Sequence, residues 1–170
     1  MAAALQVVGA VGLCLSLYAV HVEFKNEEDS SYEAVCDISE SMSCSRVLMS
    51  EWGHLMSQVG LLPKGHPLDL ANATYGVAYF TVVVLHGWLP LPSQRAKSGA
   101  IFALTVPVVA VSVFLAYILI AVLQDLCLVC TAIYVVSLAV LIISYRGFAG
   151  GGRGEAGADS RGPSIRPKSA

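Results

Sequence analysis

Residues 126–145 read LCLVCTAIYVVSLAVLIISY and contain no charged side chain. Three further runs without Asp, Glu, Lys or Arg cover residues 1–22, 70–94 and 98–124. About 20 apolar residues in a helix cross the hydrocarbon core of a bilayer, whereas a surface helix of a soluble protein carries charge on one face. The sequence therefore predicts an all-α membrane protein built as a bundle of four transmembrane helices. We place these helices at about residues 2–22, 72–90, 99–123 and 126–145.

The polar segment between the first two helices, about residues 23–71, is expected to form a long loop on one side of the membrane. Within it, Leu48, Trp52 and Leu55 fall at helical spacing on one face. This pattern predicts a short amphipathic helix, at about residues 45–62, that covers the mouth of the bundle or lies along the membrane surface.

The predicted bundle forms a single domain over about residues 1–147. Its first uncharged run lacks a basic start and a clear cleavage site, so we interpret it as a helix rather than as a cleaved signal peptide. After Gly147 the chain is rich in Gly, Arg, Ser and Pro and has almost no apolar side chains. This composition predicts a disordered tail over residues 148–170.

The distribution of Lys and Arg predicts the orientation of the bundle. Arg95 and Lys97 lie between the second and third helices, and further basic residues follow the fourth helix, whereas the 23–71 loop begins with an acidic run. Basic connections stay in the cytosol, and four helices place both termini on one side. We therefore expect cytosolic termini, with the long loop and the turn at Gln124 and Asp125 in the opposite compartment.

The predicted topology brings four of the five cysteines to one side of the membrane. Cys36 and Cys44 lie in the long loop, and Cys127 and Cys130 open the fourth helix. The compartment opposite the cytosol permits disulfides. The fifth cysteine, Cys14, lies alone in the middle of the first helix, where a cysteine usually acts as a small apolar residue.

The Cys127-Leu128-Val129-Cys130 motif is the strongest indication of chemistry in the chain. Cysteines three residues apart share one face of a helix. The unpaired N–H groups and the macrodipole at a helix N-terminus favour a thiolate, which is the species that attacks. Asp125 adds negative charge nearby and opposes this effect. A thiol pair at the edge of a membrane helix can pass electrons from a soluble partner to a molecule dissolved in lipid.

Two polar side chains are expected near this thiol pair. Tyr134 follows Cys130 by one helical turn, and its hydroxyl needs a partner within the bilayer. Asn72, at the start of the second helix, offers an amide at similar depth if the second and fourth helices are neighbours. Together they predict a site for a ring with carbonyl oxygens. Alternatively, Tyr134 is an interfacial aromatic residue, and Asn72, like Asp69, is a helix cap or the first residue of a glycosylation sequon.

The cysteines also have purely structural interpretations. The CxxC motif could form a structural disulfide or half of a zinc site, but seven residues separate Cys36 from Cys44, and zinc ligands are usually closer. We therefore expect no metal site. The loop pair could be a permanent staple or could exchange with Cys127 through thiol–disulfide exchange. His86, in the second helix, has no evident partner and is most simply a satisfied core residue.

Taken together, these residues resemble the vitamin K epoxide reductase family. The resemblance covers about residues 12–146 and rests on five stretches, none of which is specific alone. They are LSLYAVHV at 15–22, Cys36-Asp37, Cys44-Ser45-Arg46, Asn72 ahead of Gly76, and Cys127-Leu128-Val129-Cys130 with Tyr134.

The resemblance implies reduction of vitamin K epoxide to the quinone and of the quinone to the hydroquinone. By this match Cys130 attacks the substrate, and Cys127 resolves the adduct and exchanges with the loop. Cys36 and Cys44 match the shuttle pair. The remaining matches concern the substrate pocket: Asn72 and Tyr134 would hydrogen-bond the ketone oxygens, and Leu48 and Trp52 would cap the pocket.

The resemblance also implies partners and a location. It places the protein in the endoplasmic reticulum membrane, with a lumenal cysteine loop and both termini cytosolic. A separate lumenal thioredoxin-like protein would supply electrons, and coumarins such as warfarin would occupy the substrate pocket. We expect redox-active disulfides, no permanently bound cofactor and no nucleic-acid partner. Residues 60–69 match no family pattern, which leaves the preference between epoxide and quinone open.

Two other functions fit parts of the pattern. A quinone-linked oxidase that forms disulfides would run nearly the same half-reaction in the service of its thiol partner. A claudin-like adhesion protein also has four spans and a cysteine pair in its first outer loop. Such a protein needs no CxxC motif in its last helix, and here Trp52 follows the loop pair rather than preceding it.

Overall fold

The computed structural model describes residues 2–29, 32–39, 42–63, 65–88 and 90–158, with side chains described as far as residue 150. Within these ranges the chain is helical and contains no β-strand, as the all-α prediction requires. The six α-helices are α1 (Ala2–Glu28), α2 (Cys44–Leu48), α3 (Leu55–Gln58), α4 (Asn72–Leu85), α5 (Gln94–Ile118) and α6 (Leu128–Ala158).

Three of the described helical stretches are long and apolar enough to cross a membrane. They are Ala2–Glu28, Gln94–Leu123 and Leu128–Gly150. The second stretch consists of α5 and a π-helical turn over Leu119–Leu123. The next residue, Gln124, has a φ of 52°, and the chain reverses there. The predicted second span is shorter than expected, since α4 has 14 residues and is extended only by a 3₁₀ turn over His86–Trp88.

Helix α1 continues past its predicted end at about residue 22. The Lys25 ammonium group pairs with the Glu28 carboxylate at 2.9 Å, and the Asn26 amide donates to the Val22 carbonyl at 3.1 Å. Lys and Glu, the charged residues of this stretch, are good helix formers. The onset of charge therefore marks the edge of the apolar run, while the helix itself continues for six more residues to Glu28.

Helix α6 also continues past its predicted end at about residue 145. The ring of Phe148 stacks on Phe102 of α5 with centroids 6.5 Å apart, and the Arg95 guanidinium lies 5.3 Å from the Phe148 centroid. These contacts attach the turn of α6 around Phe148 to α5. The helix runs to Ala158, and residues 159–170 of the predicted tail lie outside the described residues.

The predicted amphipathic helix at 45–62 is replaced by short segments, α2, a 3₁₀ turn over Glu51–Gly53, and α3. The Ser50 hydroxyl donates to the Val47 carbonyl at 2.7 Å, which favours a turn over helix continuation. Gly53 comes so close to the Leu48 carbonyl that a Cβ atom would collide with it. The segment therefore folds back on itself as a compact cap.

The bundle is assembled by contacts of α1 with α4 and α6, and of α5 with α6. Helices α1 and α4 approach closely because Gly12 leaves space that the Phe80 ring fills, as small residues do at helix interfaces in membranes. Tyr79 of α4 is hydrogen-bonded to Thr105 of α5 at 2.9 Å.

The buried apolar residues form two clusters. One lies deep in the bundle and contains Leu5, Tyr79, Phe80, Val83, Ile101 and Val140. The other joins the cap and the cysteine loop to the helix ends, and it contains Ala19, Val22, Ala34, Cys36, Cys44, Val47, Leu48, Ala73, Leu119, Cys127 and Val129. The second cluster, which we call the cysteine cluster, places both predicted cysteine pairs in one packed region.

Candidate active site

A cavity of about 300 Å³ lies between α1, α4, α5 and α6, beneath the cap. Its volume is at the lower end of the range typical of small-molecule sites. Most of its wall is apolar, and Pro107, which lies inside α5 without ending the helix, contributes to it. The cavity can therefore hold an apolar ring, which the few polar groups of the wall would orient.

Five of the predicted site residues line this cavity. They come from three separate parts of the chain and are Leu48, Trp52, Asn72, Cys130 and Tyr134. The Trp52 ring also meets Phe114 of α5 edge to face, with centroids 6.0 Å apart. This contact attaches the cap to the bundle at the cavity mouth.

Asn72 connects the cap to α4 and does not cap its own helix. Its amide donates to the Trp52 carbonyl at 2.6 Å and accepts from the Leu55 N–H at 3.1 Å. The N-cap position is occupied by Ala71, without a side-chain hydrogen bond, so both predicted caps are wrong. The Asp69 carboxylate instead accepts from the Ser57 N–H at 3.2 Å. An amide can make four hydrogen bonds, so Asn72 retains one donor and one acceptor for a ligand.

Tyr134 lies one turn beyond Cys130 on α6 and is half-buried in the cavity wall. Among the described residues, its hydroxyl group makes no hydrogen bond. A phenol in an apolar cavity gains free energy from a hydrogen-bond partner. A carbonyl oxygen on a bound ring would supply that partner.

The two cysteines of the CxxC motif are free thiols in different surroundings. Cys130 is part of the cavity wall. Cys127 is fully buried in the cysteine cluster and immediately precedes α6, where its sulfur accepts from the Cys130 N–H at 3.3 Å. Cys130 is therefore the thiol that a cavity ligand meets, and Cys127 lies on the side of the loop.

Cys36 and Cys44 are joined in a disulfide, with Cα atoms 5.8 Å apart. Cys44 is fully buried, whereas Cys36 is 8% exposed, and the Tyr18 hydroxyl contacts the Cys36 sulfur at 3.9 Å. Both sulfurs and a carboxylate oxygen of Asp37 lie within 4.8 Å of one another. Metal binding by these sulfurs requires thiolates, which the disulfide does not offer.

Asp37 holds the loop around the disulfide. Its carboxylate accepts from the Ala34 N–H at 2.8 Å, and from the Ser45 N–H at 3.1 Å and hydroxyl at 2.6 Å. Partial burial raises the pKa of Asp37, but the hydrogen bonds from Ser45 and Ala34 outweigh it, so the pKa lies below the ordinary value of 3.8. The carboxylate form therefore stabilises this loop.

An ion pair connects the loop to the CxxC motif. The Arg46 guanidinium of α2 lies 3.1 Å from the Asp125 carboxylate, two residues before Cys127. The Asp125 side chain is 14% exposed and that of Arg46 is 56% exposed. The pair therefore holds the loop disulfide beside the start of α6.

Sequence reasoning missed several polar residues of the cavity, among them Ser16 and Glu23. The sequence places Glu23 at the start of the polar loop because charge begins there. Since α1 continues to Glu28, Glu23 lies on the same face as Ser16, seven residues earlier, and faces inward. The spacing of Ser16 and Glu23 would have predicted their shared inward face only if α1 had been predicted to end at Glu28.

Two other residues named from the sequence lie outside the cavity wall. The buried His86 ring is hydrogen-bonded to the Val83 carbonyl through Nδ1 at 2.7 Å, so His86 is a satisfied core residue, as predicted. Cys14 is exposed on the outer face of α1, where a membrane would meet it.

Comparisons with known proteins identify the family of this chain. A family model described as the vitamin K epoxide reductase family matches residues 3–145. Vitamin K epoxide reductase complex subunit 1 of Mus musculus is 36% identical over 138 residues, which cover 79% of this chain and 83% of the relative. The protein of the same description from Rattus norvegicus is 34% identical over the same shares. The chain belongs to the vitamin K epoxide reductase family.

Proposed function

We propose that this protein is a membrane oxidoreductase that uses thiols to reduce vitamin K epoxide and vitamin K quinone. The observation that carries the proposal is the position of Cys130. It is a free thiol of a CxxC pair, and it lies in the wall of an apolar cavity that also contains Asn72 and Tyr134. A ring entering this cavity would meet a nucleophile and two groups suited to its carbonyl oxygens.

The residues of the cavity suit a two-step reduction. The Cys130 thiolate attacks a ring carbon, and hydrogen bonds from Asn72 and Tyr134 stabilise the charge that develops on the ring oxygens. The apolar wall strengthens these hydrogen bonds. The Cys127 thiolate then attacks the Cys130 sulfur, the carbon–sulfur bond breaks, and the pair becomes a disulfide. From the quinone the product is the hydroquinone. From the epoxide, the attack of Cys130 first opens a carbon–oxygen bond, and the freed oxygen leaves as water when the carbon–sulfur bond breaks, so that the product is the quinone.

The loop pair is proposed to restore the thiols of the helix pair. A soluble dithiol donor would attack Cys36, the more exposed residue of the loop disulfide. The released Cys44 thiolate would then attack Cys127 of the oxidised helix pair, which shares the cysteine cluster with it, and free Cys130. The second thiol of the donor would release Cys36, which attacks Cys44, reforms the loop disulfide and frees Cys127. With the loop pair oxidised and the helix pair reduced, the structure has the distribution that follows electron transfer from the loop. The expected donor is a lumenal thioredoxin-like protein.

The proposed topology has four spans within one domain of residues 1–147. Helix α4 and the 3₁₀ turn after it would form the second of the four spans, since residues 70–94 carry no charge and α4 packs on α1. The cap and cysteine loop would then lie in the endoplasmic reticulum lumen, and both termini would lie in the cytosol. Coumarins are flat, apolar rings with carbonyl oxygens, so we propose that they compete for the same cavity.

The alternatives differ in what they require of the cysteines. An adhesion protein with an inert Cys36–Cys44 staple would show the same pairing as the structure, but it gives no reason for a free thiol in a cavity wall. Membership of a reductase family favours the redox interpretation. A disulfide-forming oxidase would catalyse the same exchange between thiols and a quinone. It would differ in that the cell uses the disulfide rather than the hydroquinone.

The test is reduction of vitamin K epoxide and vitamin K quinone, side by side, by the purified full chain with a small dithiol. We expect both substrates to be consumed, with the helix thiols oxidised during turnover. The matched control is Cys14→Ser, which removes an exposed cysteine of α1 and should leave turnover unchanged. No reduction of either substrate by folded protein with free helix thiols would overturn the proposal.

A further inference from the structure

Two buried polar atoms of α1 point to an additional group in the chemistry of the cavity. The Ser16 hydroxyl and the Glu23 Oε1 atom are buried without a hydrogen-bond partner in the described part of the chain. Both residues line the cavity, and they are 0% and 8% exposed. Buried polar atoms are nearly always satisfied, so a partner for these two is expected to come from the cavity contents.

Glu23 shares its cavity with the reactive thiol. Both Glu23 and Cys130 lie in the wall of this cavity. The other polar side chains of the wall exchange protons poorly at neutral pH, since an amide and an aliphatic hydroxyl are not titratable there and a phenol ordinarily has a pKa of about 10. A carboxyl group is a common proton carrier in enzyme active sites.

We propose that Glu23 is a catalytic residue that carries a proton from the Cys130 thiol to a ring oxygen of the substrate. The inference rests on the proposed quinone reduction and adds a residue to it. It is carried by the unpartnered carboxyl oxygen of Glu23 in the cavity that contains Cys130.

The step balances without an added reactant. The S–H bond of Cys130 breaks, its proton passes to the Glu23 carboxylate, and a bond forms between the sulfur and a quinone ring carbon. One carbonyl electron pair moves onto its oxygen, which takes the proton from Glu23. Cys127 then attacks the Cys130 sulfur, and the carbon–sulfur electron pair moves into the ring. The second oxygen takes the Cys127 proton, so two thiols and a quinone become a disulfide and a hydroquinone.

The test is single-turnover reduction of vitamin K quinone by the full chain, reduced beforehand with a small dithiol. Glu23→Gln keeps the size of the side chain and removes its exchangeable proton, so we expect the rate to fall about 100-fold. The dissociation constant for the quinone, measured separately with the helix cysteines oxidised to a disulfide so that no turnover occurs, should stay close to that of the unaltered protein. Glu23→Asp retains a carboxyl group and should recover part of the rate.

The matched control is Glu28→Gln, which removes an exposed carboxyl group from the end of the same helix. It should leave both rate and binding unchanged. A Glu23→Gln rate equal to that of the control would overturn the inference, as would a loss of quinone binding that accounts for the whole loss of rate. If the unaltered chain reduced no quinone at all, the proposed function would fail first.

Discussion

The loop pair Cys36–Cys44 and the helix pair Cys127 and Cys130 share one hydrophobic cluster, but different forces hold them in place. Cys36 lies in irregular chain and Cys44 at the start of the short helix α2, and this region is held by hydrogen bonds to Asp37 and by the Arg46–Asp125 ion pair. The helix pair lies at the start of the long helix α6, and the backbone orients it. The loop can therefore move with the loss of a few polar contacts, whereas the helix pair keeps its place beside the cavity.

This difference suggests a division of labour. The helix pair needs a fixed geometry because one of its sulfurs must meet a bound ring. The loop pair needs access to two partners in turn, a soluble thiol at Cys36 and Cys127 at Cys44, and since both cysteines are buried the loop must move to meet the soluble partner. The following predictions test this contrast between a fixed pair and a mobile pair.

The largest effect is expected for Cys130→Ser. Turnover should fall to background with either a small dithiol or a protein donor, because the thiol that meets the substrate is lost. Product analysis by chromatography measures this effect, with Cys14→Ser as the control. Residual turnover by Cys130→Ser above that background would show that another residue attacks the ring.

Cys36→Ala should separate the two electron sources. Activity driven by a protein donor should fall to the level of the donor-free reaction, because the donor loses the sulfur it attacks. Activity driven by a small dithiol should be spared, since such a molecule can reduce the helix pair directly. Parallel assays with the two reductants test this, and equal retention of both activities would remove the shuttle role from the loop pair.

Asp37→Asn should loosen the loop by about 1 kcal/mol, since hydrogen bonds to an exposed or half-buried carboxylate contribute on this order. The same loss should occur in acid. The folded-state pKa of Asp37 lies below its ordinary value of 3.8, so its stabilisation is fully present above that value and is lost as the pH falls through the lowered pKa. Limited proteolysis by pepsin measures loop opening. At a pH above 3.8, where the carboxylate is ionised, Asp37→Asn should be cleaved more readily than the unaltered chain. Equal cleavage of the two proteins would contradict the role of Asp37 in holding the loop.

The smallest effect is expected for Arg46→Gln. A partly exposed ion pair contributes about 0.2–1 kcal/mol, so activity driven by a protein donor should fall by no more than about fivefold. Turnover with a small dithiol should not change, because the helix pair is untouched. The double variant with exchanged charges, Arg46→Asp with Asp125→Arg, should restore part of the rate driven by a protein donor. The control is Arg95→Gln, at the start of α5. A change confined to the small-dithiol assay would exclude a loop-positioning role.

The sequence was most informative where one local property decides the outcome. Uncharged runs of bilayer length predicted the long helices, and the spacing of Cys127 and Cys130 predicted a thiol pair on one face of α6. It was least informative at element ends and in the cap. Helix α1 ran past Val22, and the 45–62 segment broke into short turns at Ser50 and Gly53, because side-chain and backbone contacts outweigh the periodic pattern there.

What the sequence determined by itself was the membrane character of the chain, its helices and its inventory of reactive groups, since hydrophobic length and residue spacing are local quantities. The tertiary structure alone decided which groups meet. It directed Glu23 into the cavity, turned the Asn72 amide toward Trp52, and placed Cys130 in the cavity wall with Cys127 behind it. The physical reason is that helix rotation and approach depend on packing between distant segments, such as the Phe80 ring against Gly12, and no single segment specifies that packing.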